Sequence, residues 1–199
     1  MAKIKHTKNE LKAQRDALRR FERYLPTLLL KKQQLQTEIR TLDQRLSAKI
    51  QEEETFQKDV ALWVRLFSEP FDFVSCLNVT DIRIGEGNIA GVNIPVLEAV
   101  EFSRHVPDLF ESPLWVDDAL AALEKLTRLR VERAVMEKQF RLLKEELRTT
   151  SQRVNLFEKV KIPECREHIR VIRIFLGDQQ TAAVARAKIA KGKAPKEAA

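Results

Sequence analysis

Glycine is scarce in this chain, with 5 residues in 199, and aromatic residues make up only 7% of it. So few flexible positions exclude a fold built from many short strands and tight turns. Two cysteines, Cys76 and Cys165, show neither metal nor redox spacing. This excludes a disulfide framework and predicts ordinary thiols in a reducing compartment. No apolar run approaches the ~18 residues that a membrane helix needs, and the start lacks the basic, apolar, small-residue order of a signal peptide. The expectation is a cytoplasmic chain with no membrane span of its own.

Chemistry-bearing motifs are missing as well. There is no G-x-x-x-x-G-K-[ST] loop, and Gly85-Glu86-Gly87 has no helix behind it to complete a dinucleotide fingerprint. His6, His105 and His168 stand alone, without H-E-x-x-H or C-x-x-C spacing. Glu52-Glu53-Glu54 and Asp117-Asp118 are carboxylate runs, but a catalytic pair needs a shaped cleft to separate its pKa values. They read as a solvated face and a helix start. The sequence therefore predicts no catalytic residue, no cofactor, no metal and no small-molecule substrate.

What is present is charge, 33% of residues, and a long heptad repeat. Ile4, Leu11, Leu18, Leu25, Lys32, Ile39, Leu46, Glu53, Val60 and Phe67 share one register position. Three residues further on lie Thr7, Gln14, Phe21, Leu28, Leu35, Leu42, Lys49, Phe56 and Trp63, so 14 of 19 seam positions are apolar with no slip in phase. This is a coiled-coil seam, predicting a helix of roughly 95 Å over residues 1–68. Lys32 and Glu53 interrupt it. Polar seam residues either set register or let long stems reach the edge, and the sequence leaves both open.

Of the 12 Gly and Pro residues, 7 lie between residues 70 and 113. Residues 69–115 are accordingly read as a connector. Within it Val79–Ile84 and Gly91–Val96 alternate around Gly85-Glu86-Gly87-Asn88, predicting a β-hairpin turned there, with Pro95 on an edge. Two strands alone are marginal in water, so the hairpin must lean on the helices or on a partner. Ser112-Pro113 with Asp117 and Asp118 opens a second long helix over 116–180. Its seam runs Leu126, Leu129, Arg133, Met136, Phe140, Leu143, Leu147, Thr150, Val154 and Phe157, then slips by one residue to Ile162, Cys165, Ile169, Ile172 and Leu176. Pro163 stands at the slip, where a kink is expected. Residues 181–199 lack an apolar stripe and are read as a basic, flexible tail, frayed beyond about residue 185.

The fold class expected is mainly α: a long antiparallel two-helix coiled coil with a short β-hairpin connector. In that pairing, residues at one height have numbers summing to about 184. Pro26 then falls opposite about residue 158, near the Pro163 slip, and Cys76 and Cys165 lie too far apart to bond. Both chain ends meet at one tip. Residues 1–32 carry ten Lys/Arg against three Asp/Glu, and 181–199 carry five against one. The tip is basic while the stretch between sums to a small negative charge. The basic residues are interspersed along helix faces with few aromatics and no groove-reading motif, which argues against nucleic acid.

Particular stretches resemble the D-type stalk family of V-type and A-type rotary ATPases. Arg153-Val154-Asn155-Leu156-Phe157-Glu158 through Ile162-Pro163 is similar to its R-V-N-A-L-E-x-x-x-I-P stretch, with Phe157 where Leu is usual. Thr7-Lys8-Asn9-Glu10-Leu11 resembles T-K-x-x-L, Leu28-Leu29-Leu30-Lys31-Lys32 resembles L-L-K-x-K-R, and Gly91-Val92-Asn93-Ile94-Pro95 resembles the G-V-x-I-P strand. The resemblance implies a non-catalytic central rotor shaft that passes torque between a nucleotide-hydrolysing or nucleotide-making head and a membrane ion-translocating ring. It implies as partners the A and B subunits of the head, the small F subunit of the stalk and a socket protein on the ring. The partner-facing residues it implies are Thr7, Lys8, Leu11, Lys31, Lys32, Arg153, Val154, Asn155, Glu158, Ile162 and Pro163, with Gly91, Val92, Ile94 and Pro95 in the connector. The main rival reading is a free-standing antiparallel coiled-coil adaptor or tether, with the hairpin as its docking surface.

Overall fold

The computed structural model describes residues 5–62, 71–105 and 112–193. They form α1 (Lys8–Ala61), α2 (Phe73–Cys76), strands β1 (Leu77–Ile89) and β2 (Val92–Arg104), α3 (Val116–Leu156), a π-turn (Phe157–Lys161) and α4 (Ile162–Lys193). The fold is mainly α, a long helix pair with a two-stranded antiparallel hairpin as connector. Ile4, Trp63 and Phe67 of the first seam, Pro70 and Pro107 among the seven connector Gly and Pro residues, and residues 194–199 lie outside the described residues. α4 runs to Lys193, well beyond the end near 180 that composition suggests. Its last turns are rich in Ala and Lys, strong helix formers that need no apolar stripe.

α1 opens on a side-chain cap: Thr7 Oγ1 accepts from the Glu10 amide at 3.2 Å. Pro26 sits inside α1, which continues past it. Every described position of the first seam from Leu11 to Val60 is buried or half-buried. Contacts divide the chain into two units, residues 31–149 and the two terminal stretches 1–30 and 150–199.

In the first unit the core is Leu35, Leu42, Leu143 and Ile94, joined by Ile39, Met136, Phe140 and Leu147 from the helices and by Ile89, Ala90 and Val92 from the hairpin tip. The hairpin thus leans on the helix pair through its end, which answers the marginal stability of two strands. Its turn is not at Gly85-Glu86-Gly87-Asn88 as the sequence suggests. Ile89 pairs with Val92, leaving Ala90 (φ 51°) and Gly91 (φ 77°) as a two-residue loop. Gly85 and Gly87 are instead inside β1, where they admit neighbours: a Cβ on Gly87 would lie 2.7 Å from Val96 Cγ2, and one on Gly85 would run into the Glu98 side chain. Thr80 and Glu98 are extra residues at the two breaks in register. A second cluster of Cys76, Val116 and Leu120, with Phe71, Phe73, Leu77 and Trp115 around it, packs the strand ends against the start of α3.

In the terminal unit the second seam is buried at Thr150, Val154, Ile162, Cys165, Ile169 and Ile172. The one-residue slip is therefore real, and it is taken up by the π-turn that ends two residues before Pro163. The His6 ring lies 4.8 Å from that of Phe175, so the start of the chain reaches the late part of α4.

Candidate functional site

The helix pair of the first unit carries a ladder of cross-helix ion pairs. Lys31 Nζ lies 2.7 Å from Glu146 Oε1, and Lys49 Nζ lies 2.9 Å from Glu132 Oε2 and from Glu52 Oε2. Hydrogen bonds that it donates to Glu132 and Glu52 hold the Lys49 ammonium pKa above its ordinary value. Deepest is Glu53, only 3% exposed. Its two oxygens face Arg133 Nη1 at 2.7 Å and Arg130 Nε at 3.3 Å, and Gln57 Nε2 donates to Oε1 at 3.1 Å. Glu53 is thus buried at the seam between Arg130 and Arg133, near the residue 131 that the antiparallel alignment puts opposite it. Lys32 is half-buried.

Beside this ladder the hairpin arches away from the helices and leaves a cleft of about 560 Å³. Leu42, Val135 and Met136 form its apolar floor, with Arg45, Arg128, Glu132 and Gln139 at the edges and Val96–Val100 as the roof. Gln139 Nε2 donates to the Pro95 carbonyl and ties β2 to α3.

The terminal unit offers a different surface. Arg15, Arg19, Arg166 and Arg173 line a shallow cleft across both helices, with Leu18 and Ile169 in it and Glu22 as its one carboxylate. Glu22 Oε1 receives Arg166 Nη2 at 2.9 Å. Along α4, Lys161 and Arg170 lower the carboxyl pKa values of Glu164 and Glu167 by hydrogen bonding. Burial pushes the Cys165 thiol up.

The sequence-predicted residues fall into two groups. Val154, Ile162 and Ile94 are buried in the seam or core, and Leu11, Val92 and Pro95 are half-buried. Thr7 caps α1, Lys31 is taken by Glu146, and Gly91 forms the hairpin loop. Lys8, Arg153, Asn155, Glu158 and Pro163 are exposed. Thus the similarity motifs mark structural joints at least as much as outward faces. Sequence reasoning passes over Arg130, which lies off the seam, and places Arg15 and Arg19 in the basic tip without the Arg166 and Arg173 that complete the cleft. The spacing of Arg15, Arg19, Arg166 and Arg173 on facing helices is the signal that could have revealed the cleft.

Among the described residues no helix is long and apolar enough to cross a membrane. The sequence matches, over residues 10–192, the family model for the D subunit of ATP synthase. It is 48% identical over 191 residues to the D subunit of a V-type ATP synthase from Borreliella burgdorferi, covering 96% of this chain and 95% of that one. The corresponding V-type ATP synthase D subunits of Chlamydia felis and Chlamydia caviae are 36% and 35% identical over 195 residues, each covering 96% of this chain and 94% of theirs.

Proposed function

Because the chain belongs to the family of ATP synthase D subunits, stalk components of V-type rotary ATPases, we propose that it is the central rotor shaft of such a complex. In this reading it passes torque between a head that makes or hydrolyses ATP and the ion-translocating ring in the membrane. Nucleotide chemistry belongs to the A and B subunits of the head. This chain contributes no catalytic group and binds no cofactor, nucleic acid or small-molecule substrate. It is cytoplasmic and peripheral to the membrane, held there by its partners.

One observation supports the reading: in the helix pair of residues 31–149 the buried Glu53 lies 2.7 Å from Arg133 and 3.3 Å from Arg130 on the other helix. Transmitting torque requires that two helices not slide past each other, and a buried charged residue with one correct set of partners opposes sliding more specifically than apolar contacts do. The basic terminal unit enters the head as an electrostatic bearing. Many exposed arginines and lysines share the fit, so no single pair dominates. The connector end of the shaft faces the socket of the ring, and the small F subunit grips the flank. Exposed Lys8, Arg153, Asn155, Glu158 and Pro163 are the family-motif residues available to partners, and buried Val154, Ile162 and Ile94 serve by shaping the shaft.

The test is to express the tagged chain in its native host, isolate it in mild detergent, identify what co-purifies and assay ATP hydrolysis. Head subunits, a small flank-binding protein and membrane components, recovered with activity, support the shaft. Recovery of the chain alone or with unrelated proteins overturns it in favour of a free-standing adaptor.

A further inference from the structure

The seam of the second helix changes step once. Its positions keep 3/4 spacing to Phe157, jump five residues to Ile162, and resume 3/4 spacing at Cys165 and Ile169. An unbroken α-helix would carry each later seam residue about 100° off the interface. The π-turn absorbs the extra residue: the Ile162 amide donates to the Phe157 carbonyl, five residues back. The seam stays closed on both sides, with Val154 2% exposed, Ile162 7% and Cys165 5%. Phe157 itself packs on Phe21, ring centroids 5.0 Å apart.

The backbone is weakly bonded at this level in both helices. Pro163 has no N–H to give to Lys159 four residues back or to Glu158 five back. In α1, Pro26 has none for Glu22 and stands little more than one turn beyond Phe21. Glu158, Lys159 and Val160 are exposed, so water can serve the carbonyls left over. Side chains, by contrast, span the place: Glu22 holds Arg166 across the helices, and Lys161 holds Glu164 along α4.

We propose that residues 157–163, together with Pro26, form a twist joint. The π-turn exchanges with α-type hydrogen bonding and lets the terminal part of the helix pair yield under torque, while Phe21, Phe157 and the buried seam residues remain engaged. The inference rests on the shaft reading. It adds where the shaft is compliant and what atoms make it so.

Deletion of Val160 tests it, because the second helix then has an unbroken 3/4 seam and needs no π-turn. In the assembled complex, hydrogen exchange of amides 158–162 is expected to run about tenfold faster than in the flanking seam, and to fall to the flanking level in the deletion variant. The angular fluctuation of a bead fixed to the rotor is expected to narrow in the same variant. Pro26→Ala keeps the chain length, restores a donor in α1 and is expected to narrow the fluctuation too, which covers the case of a deletion that does not assemble. Slow exchange at 158–162 in the parent chain overturns the joint. Rotation with unchanged width in both variants overturns the joint alone, whereas a parent chain that never rotates with the head overturns the shaft reading and the joint with it.

Discussion

Glu53 and Arg133, each on a seam position of its own helix, meet at 2.7 Å with the carboxylate only 4% exposed and the guanidinium 38% exposed. Glu53→Ala removes the carboxylate and leaves two arginines at the seam edge. Because both guanidinium groups reach water, the loss is expected at about 1–3 kcal/mol, nearer to a charge-assisted hydrogen bond than to a stranded buried ion. Thermal or urea unfolding of the full chain measures it. Glu53→Leu with Arg133→Leu is expected to recover stability while relaxing register, which cross-linking between cysteines introduced at positions 39 and 143 would detect as a broadened product distribution. Full stability in Glu53→Ala would show that the ion pair adds nothing to the seam.

The hairpin tip belongs to the helix core, and this separates two isoleucines of the same sheet. Ile94→Ala, at a 4% exposed position packed with Leu35, Leu42 and Leu143, is expected to cost about 2–5 kcal/mol. Ile84→Ala, at a position 52% exposed, is expected to change stability by less than about 0.5 kcal/mol. Gly91→Ala adds a Cβ in open space but at φ 77°, so its cost of about 1–2 kcal/mol is purely conformational. Equal effects of Ile94→Ala and Ile84→Ala in urea unfolding would mean the hairpin floats free of the helices.

The seams are legible because a 3/4 repeat is a direct record of which face is covered. Even the five-residue step from Phe157 to Ile162 is visible, although the π-turn that accommodates it is not. The hairpin turn is misplaced by sequence because Gly85 and Gly87 look like turn residues. Gly87 instead leaves room for Val96 and Gly85 lies against the flexible Glu98 side chain, while the loop itself uses Ala90, a residue that seldom takes positive φ. The symmetric Ile89 and Val92 around Ala90-Gly91 are the signal of the true turn. At the candidate surfaces, similarity motifs identify positions but not their orientation. Orientation follows from helix pairing, which buries Val154 and Ile162 and leaves Arg153 and Glu158 outside.

Alkaline solution is expected to weaken the fold in two steps. Burial raises the Cys165 thiol pKa above 9.0, so from about pH 9 the unfolded chain loses this proton first, and rising pH favours unfolding. Glu132 and Glu52 raise the Lys49 pKa above 10.5; their stabilisation is complete below that value and is lost as pH rises through the folded pKa. The melting temperature should therefore hold to about pH 8.5, fall beyond 9 and fall faster beyond 10.5. Cys165→Ala should remove the first step and leave the second. A melting temperature that rises with pH through this window would contradict both assignments.

The arginine cleft of the terminal unit makes a prediction about the head. Arg15, Arg19 and Arg173 share a concave surface in which Glu22, the only carboxylate, already holds Arg166. In the proposed shaft such a surface would offer excess positive charge to the head, and its attraction would be a sum over exposed groups that salt screens within about 10 Å. Replacing one arginine by Gln is expected to change head association by less than about threefold, since exposed pairs each contribute roughly 0.2–1 kcal/mol. Reversing Arg15, Arg19, Arg20 and Arg23 to Glu together is expected to weaken association by about 10- to 100-fold at low salt, and by much less at high salt where the parent attraction is already screened. Titration of the purified head with each variant across ionic strength reads this directly. Association retained by the fourfold variant at every salt concentration would remove the electrostatic bearing and leave shape alone to hold the shaft in its collar.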